Sequence, residues 1–534
     1  MRVRYLKLWL LITTLPMLFG LGGCGASTPS STSPTETSTD QSGASPSAHG
    51  AETPRSNSSR DPAASSAAIV PTSPSLWEMR ADAGDSAPGE TLDAAAAAGR
   101  NVIFVSVDAL QAAHVGGLGY PRRTTPSLDA FARCSFQFSH CYSVASWTVP
   151  SSMTWFTGVY PSEHRIVNKY AVYDDTRQTI ASLKQLAPNL TTLAQELQSH
   201  GYRTAGFCGN AGVSRGFGYD TGFEVYDHES AKFGTFDYSL PRAVNWLEQR
   251  DDDKPFFLFV HGYDVHGQAM PSNGFDGRFV SEHYDRRFAG TSQEQEYLRE
   301  EGLDRGQLDL RPEDIEFWRA IYDEKIARAD AKLESFFRDL DRLGLLDNTL
   351  IIVTSDHGTE FCEHGRFDHG FTLYNEQIHV PLWIHLPGQV TGVDLPQPVS
   401  SIDVMPTILE LLGVAPSDAV KEQSRGESLV GAMRGDGQSR YLFCETDYRE
   451  FTFKRAVISP DRWKLIYTLE TRERELYDLN QDPGEQNNVV AAHPALADEL
   501  EGRLFDHFRL IGHDLRARSW QPGYNPVYSF PSGN

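Results

Sequence analysis

Short apolar runs alternate along this chain with stretches in which apolar positions recur every three or four residues. Val102-Ile103-Phe104-Val105-Ser106-Val107, Tyr202–Cys208, Phe256–Val260, Leu350-Ile351-Ile352-Val353-Thr354 and Val380–His385 are of the first kind. Nearly uncharged, they predict strands buried on both faces, as in a parallel sheet. Thr191–His200 and Ile315–Leu343 are of the second kind; in the latter, Ile326, Ala329, Leu333, Phe336, Leu340 and Leu343 step along one helical face. Thr125-Pro126-Ser127 starts a helix at Leu128, Pro150 falls in the first turn of a helix that Gly158 ends, and Asp403–Leu412 is a further short helix. This alternation predicts an α/β fold with a largely parallel central sheet flanked by helices over residues 100–415. Tyr441–Cys444, Arg455–Ile458, Trp463–Leu469 and Glu475–Tyr477 read as strands and Leu496–Phe508 as a closing helix, which predicts a smaller C-terminal α+β subdomain over 416–520, with a tail at 521–534. Gln268 to about Arg311 is polar and aperiodic, the pattern of a long active-site loop or insertion.

The first hundred residues follow neither pattern. Arg2, Arg4 and Lys7 precede an apolar run from Leu8 to about Leu21, the layout of an export signal and short for a membrane span. It ends Leu21-Gly22-Gly23-Cys24, which resembles the lipobox of bacterial lipoproteins. That resemblance implies a signal peptide over 1–24, cleavage before Cys24, lipid attachment to its thiol, and an extracytoplasmic enzyme anchored to a bacterial membrane. Residues 25–99 are rich in Ser, Thr, Pro and Ala and poor in large apolar side chains. Such a segment cannot bury enough surface to offset its ordering entropy and is expected to be disordered. As a flexible tether its roughly 75 residues would span about 50 Å.

Charge and cysteines narrow the partners. A net charge of −23 argues against nucleic acid as a partner. An anionic substrate stays compatible with it, because a bound metal can dominate the local field. Six scattered cysteines do not make a disulfide framework. Cys134 and Cys141 are close enough in sequence to pair, but buried thiols are the expectation.

The candidate chemistry lies where apolar strands end. Asp108 follows the first strand, Asp264 and His266 follow Phe256–Val260, and Ser355-Asp356-His357-Gly358 follows Leu350–Thr354, with His364, Asp368 and His369 in the loop beyond. In open α/β sheets, ligands bind beyond the carboxyl ends of the strands. Thr148 stands before a helix N-terminus, where free N–H groups and the dipole favour an anion. Each residue alone has an ordinary structural reading: Asp108 or Thr148 as a cap, His266 or His369 as a hydrogen-bonded loop residue. All of them at the same edge of one sheet point to a metal and an anion.

The segments VSVDALQAAHVGGLGYPRRTTPSLDAFA, SWTVPSSMTWFTGVYPSEH, VHGYDVH and VTSDHGTEFCEHGRF resemble the sulfatase family of the alkaline phosphatase superfamily. SIDVMPTILELLGV, RWKLI and ELYDLNQDPGEQNN are similar to its C-terminal subdomain. The resemblance implies the alkaline phosphatase-like fold and hydrolysis of an anionic ester. It also has departures. Formylglycine sulfatases carry Cys or Ser in Cys-x-Pro-Ser-Arg, where this chain has Thr148-Val149-Pro150-Ser151-Ser152. Threonine is not a substrate for that modification. The family's paired early aspartates are Asp108-Ala109 here, and its late Asp-Asn is Asp356-His357. Fewer hard oxygens and an added nitrogen move the expected cation from Ca²⁺, which stays possible, toward Zn²⁺ or Mn²⁺.

The altered set is similar to the Thr-nucleophile branches of the superfamily. It implies Asp108, Thr148, Asp356 and His357 as metal ligands and Thr148 as nucleophile. His266 and His369 are then catalytic and substrate-binding, with Asp264 beside them in the substrate set or, with the two histidines, holding a second metal. The reading is a metal-dependent hydrolase or transferase cleaving a phosphate mono- or diester. The alternatives are a sulfuric ester hydrolase, arylsulfatase-like but without formylglycine, and an inactive module binding an anionic glycan.

Overall fold

A computed structural model describes residues 74–83 and 96–516, apart from 167–170, 174–178, 183–185, 210, 229–232, 271–273 and 449–451. The export signal, Cys24, most of the expected linker and the tail lie outside the described residues.

Eight strands form the central sheet: β1 (Asn101–Val107), β2 (Phe136–Phe138), β3 (Arg203–Cys208), β4 (Val225–His228), β5 (Phe256–Gly262), β6 (Thr349–Thr354), β7 (Leu382–His385) and β8 (Val393–Leu395). Their order across the sheet is β8-β2-β7-β6-β1-β5-β3-β4. From β6 to β4 all neighbours are parallel, and β7 runs antiparallel between β6 and β2. The sheet is therefore mixed and mostly parallel, as the uncharged strands predict. β1 lies at its centre, with Val105 opposite Val260 on one side and Val353 on the other.

Side-chain alternation sends each strand into two cores. Val102, Phe104, Phe257, Phe259 and Ile352 enter one, with Met153 and Trp155. Ile103, Val105, Leu258, Val260, Ile351 and Val353 enter the other, with Trp318 and Phe336. Removing such side chains from water contributes about 1.5–3 kcal/mol each, which is why the strands tolerate so little charge. Helices α1 (Leu76–Ala83), α2 (Pro126–Ala132), α3 (Thr148–Thr157), α4 (Phe236–Glu248), α5 (Ser292–Arg305), α6 (Pro312–Arg342) and α7 (Val404–Leu411) pack around it. Toward the C-terminus, β9 (Leu442–Tyr448), β10 (Thr452–Ile458), β11 (Trp463–Thr468) and β12 (Glu473–Asp478) form an antiparallel sheet with α8 (Pro494–Leu510).

Two expectations are corrected. The stretch 268–311 is not all loop, for it contains α5, opened by a capping box of Thr291 and Glu294. The expected linker is ordered near its end, where Trp77 of α1 is fully buried with its ring 5.0 Å from that of Phe131 and 5.4 Å from that of Phe337. A Trp and a Leu at 76–77 supply the apolar surface that the rest of the linker lacks. Cys134, Cys141, Cys208 and Cys444 are buried free thiols, and Cys362 is a half-buried one.

Candidate active site

The carboxyl ends of β1, β5 and β6 converge with the N-terminus of α3. Asp108 and Asp356 are fully buried there, and Asp356 is partly held by backbone. Asp356 Oδ1 accepts the N–H groups of Ala109 and His357, both at 3.0 Å, which leaves Oδ2 for the site. Ala109 has φ +61°, a left-handed turn that brings its N–H round to Asp356. Asp108 Oδ2 accepts from the Thr148 hydroxyl at 3.1 Å and lies 3.4 Å from His261 Nε2. Asp108 Oδ1, Asp356 Oδ2 and both ring nitrogens of His261 are buried without a hydrogen-bond partner.

His357 completes the ring. Its Nδ1–H donates to the Gly358 carbonyl at 2.7 Å, so Nε2 carries the lone pair, 3.2 Å from Thr148 Oγ1 and 3.5 Å from Asp356 Oδ2. That backbone bond is the device by which ligating imidazoles are fixed in one tautomer. Thr148 is the first residue of α3, with Trp147 before it. Gly212 lies against its methyl group, and a Cβ there would stand 2.8 Å from Thr148 Cγ2, so the approach requires glycine.

Burial and neighbouring charge set the protonation states. Burial, then Asp356, push Asp108 well above the usual carboxylate range. Burial pushes Asp356 the same way, but His357 and His261 outweigh it and hold Asp356 low. Burial lowers His261 to about 4, and lowers His357 also. Two carboxylates and neutral imidazoles, short of donors, form the set a divalent cation would satisfy. Among the described residues, one group of three or more such side chains has its ligand atoms within 4.8 Å of one another: Asp108, His261 and Asp356. Thr148 and His357 adjoin it. The donor set fits a metal.

His266 and His369 stand on the next side of the pocket, both buried. The His369 ring is 4.3 Å from that of His357 and 5.0 Å from that of His266. His266 Nδ1 accepts the Gln268 N–H at 3.3 Å, so its proton is on Nε2. Burial, reinforced by His369, pushes His266 well below the usual imidazole range. Beneath it, Lys325 Nζ donates to the carbonyls of His266 and Gly267 at 3.0 and 2.9 Å, and burial lowers that amine to about 7.

Sequence reasoning placed Asp108, Thr148, Asp356, His357, His266 and His369, and the structure brings them together. Asp264 does something else. Its Oδ2 accepts the Phe236 N–H at the start of α4 and its Oδ1 pairs with Lys332, both at 2.7 Å, so it fixes the loop rather than facing substrate or a second metal. His364 is also turned elsewhere, stacked on Tyr374 and 2.6 Å from Glu376. His261 was missed. Its one signal was an imidazole inside the otherwise apolar strand Phe256–Gly262.

With this geometry in hand, known proteins offer a comparison. The family model described as Sulfatase matches residues 100–414, and one described as N-sulphoglucosamine sulphohydrolase, C-terminal, matches 362–508. The chain is 26% identical over 467 residues to the N-acetylglucosamine-6-O-sulfatase of Bacteroides thetaiotaomicron, covering 73% of this chain and 82% of the relative. It is 25% identical over 432 residues to the choline-sulfatase of Rhizobium meliloti, with coverage of 73% and 82%. Among solved structures, a 2-O GAG sulfatase superposes with TM-score 0.62 at 20% identity, over 80% of this chain and 95% of that one. The phosphonate monoester hydrolase of Agrobacterium radiobacter superposes with TM-score 0.59 at 19% identity, over 77% and 96%.

Proposed function

The chain belongs to the sulfatase family, and on that premise we propose that it is a metal-dependent phosphate ester hydrolase or transferase using Thr148 as nucleophile. The observation that carries this reading is the Thr148 hydroxyl between Asp108 Oδ2 at 3.1 Å and His357 Nε2 at 3.2 Å, at the first residue of α3. The single proton of a hydroxyl so placed has an acceptor on either side. Thr148 Oγ1 passes its proton to Asp108 Oδ2 and attacks phosphorus, and the bond to the leaving oxygen breaks; His266 Nε2–H donates a hydrogen bond to that oxygen, which leaves as the anion and takes its proton from water. The N–H groups opening α3 stabilise charge on the equatorial oxygens. Water or an acceptor alcohol, its proton passing to His369 Nε2, then attacks the phosphorus of the phospho-threonine, and Thr148 leaves and regains its proton from Asp108. Asp108, Asp356 and His261, with Thr148 and His357, are the residues that would hold the metal. When bound, a Zn²⁺ or Mn²⁺ ion there would ease deprotonation of the hydroxyl and offset phosphoryl charge.

A simple threonine ester has no hemiacetal to collapse, so its release needs an attacking nucleophile, which favours phosphoryl over sulfuryl chemistry. The opposing reading, a sulfuric ester hydrolase without formylglycine, draws support from the sulfatases among the relatives. The leader ending in Cys24 supports export and lipid anchoring, which would hold the enzyme outside the cytoplasm.

The test is turnover of matched aryl sulfate, phosphate monoester, phosphate diester and phosphonate, with each of Zn²⁺, Mn²⁺ and Ca²⁺, using Thr148→Ala as control. Phosphate ester cleavage lost in the control is expected. Dominant, Thr148-dependent sulfate cleavage would overturn the choice of ester, and silence throughout would rule out a simple hydrolase and leave a transferase needing its own lipid donor or an anionic-glycan binder.

A further inference from the structure

Asp368 occupies a conformation that carboxylate residues seldom adopt. Its φ is +82°, in the left-handed region where a Cβ crowds the backbone, and its side chain is nevertheless fully buried. Backbone strain and a buried charge both cost stability, and glycine at this position would avoid both. Strain that persists in a pocket wall calls for something the side chain does there.

Its neighbours indicate what. Oδ1 lies 2.5 Å from His369 Nδ1. The approach is too angled for a hydrogen bond, and a ring lone pair facing a carboxylate oxygen at that distance would be repelled, so the contact favours the proton on Nδ1 and the pairing is electrostatic. Oδ2 accepts from Gln268 Nε2 at 3.2 Å and faces Arg299 Nη1 at 3.7 Å. Burial alone would raise this carboxyl, but His369 foremost, with Arg299, holds it well below the carboxylate range. Arg299 is buried and comes from α5, with its guanidinium balanced further by Glu296 and Glu300.

We infer that Asp368 and Arg299 are positioning residues, the inserted helix clamping Asp368 so that Asp368 fixes His369 with its proton on Nδ1 and its lone pair on Nε2. His266 has the opposite tautomer, since its Nδ1 accepts the Gln268 N–H. Gln268 thus touches both devices, its backbone setting His266 as donor and its side chain helping to hold the group that sets His369 as acceptor. The pocket then offers one imidazole that donates a hydrogen bond and one that accepts a proton. The inference rests on reading this pocket as an ester-cleaving site.

The test uses the full-length protein and the variants Asp368→Gly, Asp368→Asn, Arg299→Met, Arg299→Lys and the double variant Asp368→Gly/Arg299→Met. With whichever aryl ester is turned over, Asp368→Gly and Arg299→Met should each lower kcat about 10–100-fold with KM little changed, and Arg299→Lys should recover most of the loss. The double variant should be no slower than Asp368→Gly, because Arg299 acts through Asp368. Losses that multiply would overturn the inference. Asp368→Asn, which suits positive φ, covers the case in which the glycine variant does not fold. Independently of turnover, ring-labelled histidine NMR should find His369 protonated on Nδ1 in the wild type and shifted away from that tautomer in either Asp368 variant. An unchanged tautomer would overturn the inference. Failure to cleave any ester would count against the functional reading, while the tautomer would still decide this one.

Discussion

Two regions of this molecule bury charge, and they do it differently. In the C-terminal subdomain, Lys464 and Glu485 are fully buried 2.7 Å apart, and Arg455 pairs with Asp447 at 2.7 Å and Glu445 at 3.5 Å. Carboxylates there face cations, and Glu485 Oε2 also caps the Asn375 N–H at 2.5 Å. At the ends of β1, β5 and β6, Asp108 and Asp356 are equally buried, yet among the described residues their ion-pair partners are imidazoles alone. Unpaired buried charge is costly, so the balanced cluster reads as architecture and the unbalanced one as a site suited to a cation.

Substitutions can break that contrast. Thr148→Ala should abolish ester turnover, by about 10⁴-fold or more, while circular dichroism and melting stay near wild type. Lys464→Met should do the reverse: stranding Glu485 should cost about 3–5 kcal/mol in urea unfolding, and adding Glu485→Leu should return much of it. Chelation should sit between the two, lowering apparent stability by about 2–4 kcal/mol if metal is normally held near a hundredfold above its Kd. Re-addition of Zn²⁺ or Mn²⁺ should restore it, and Asp108→Asn should melt at the same temperature with or without chelator.

A third arrangement sharpens the comparison with an effect spread thinly over pH. Asp330 of α6 is buried, accepts the N–H groups of Ser127 and Leu128 at 3.0 and 2.8 Å, and has no cationic partner among the described residues. Burial lifts its carboxyl to about 7. Because the folded value lies above the unfolded one near 4, its contribution is fully present below pH ~4 and is lost as pH rises through about 7. Stability measured across that window should fall with pH by at most ~1.4 kcal/mol per unit from this group, and Asp330→Asn should flatten the fall.

What was legible in the sequence follows from how local each signal is. Leu350–Thr354 announces a buried strand because both its faces are apolar, and Asp356-His357 stands out against it. His261 does not stand out, because it sits inside a strand and its meaning depends on β1 lying alongside, Ser106 opposite. α5 carries no apolar stripe, so periodicity passes over it, and its only local mark is the Thr291–Glu294 cap. Asp264 looked like a site residue because its true partner, Lys332, is 68 positions away. The resemblance to the family supplied the nucleophile and ligand roles that no spacing could, and it was silent on Asp368 and Arg299.

The position of α1 bears on how the enzyme meets its substrate. Arg80 reaches Asp341 and Asp347, and Asp347 stands just before β6, whereas Asp356 follows the other end of that strand. Helix α1 therefore lies at the rear of the sheet, about 20 Å of strand behind Thr148. On the proposed lipid anchoring, α1 lies on the opposite side of the sheet from the carboxyl ends of β1, β5 and β6, where substrate would enter.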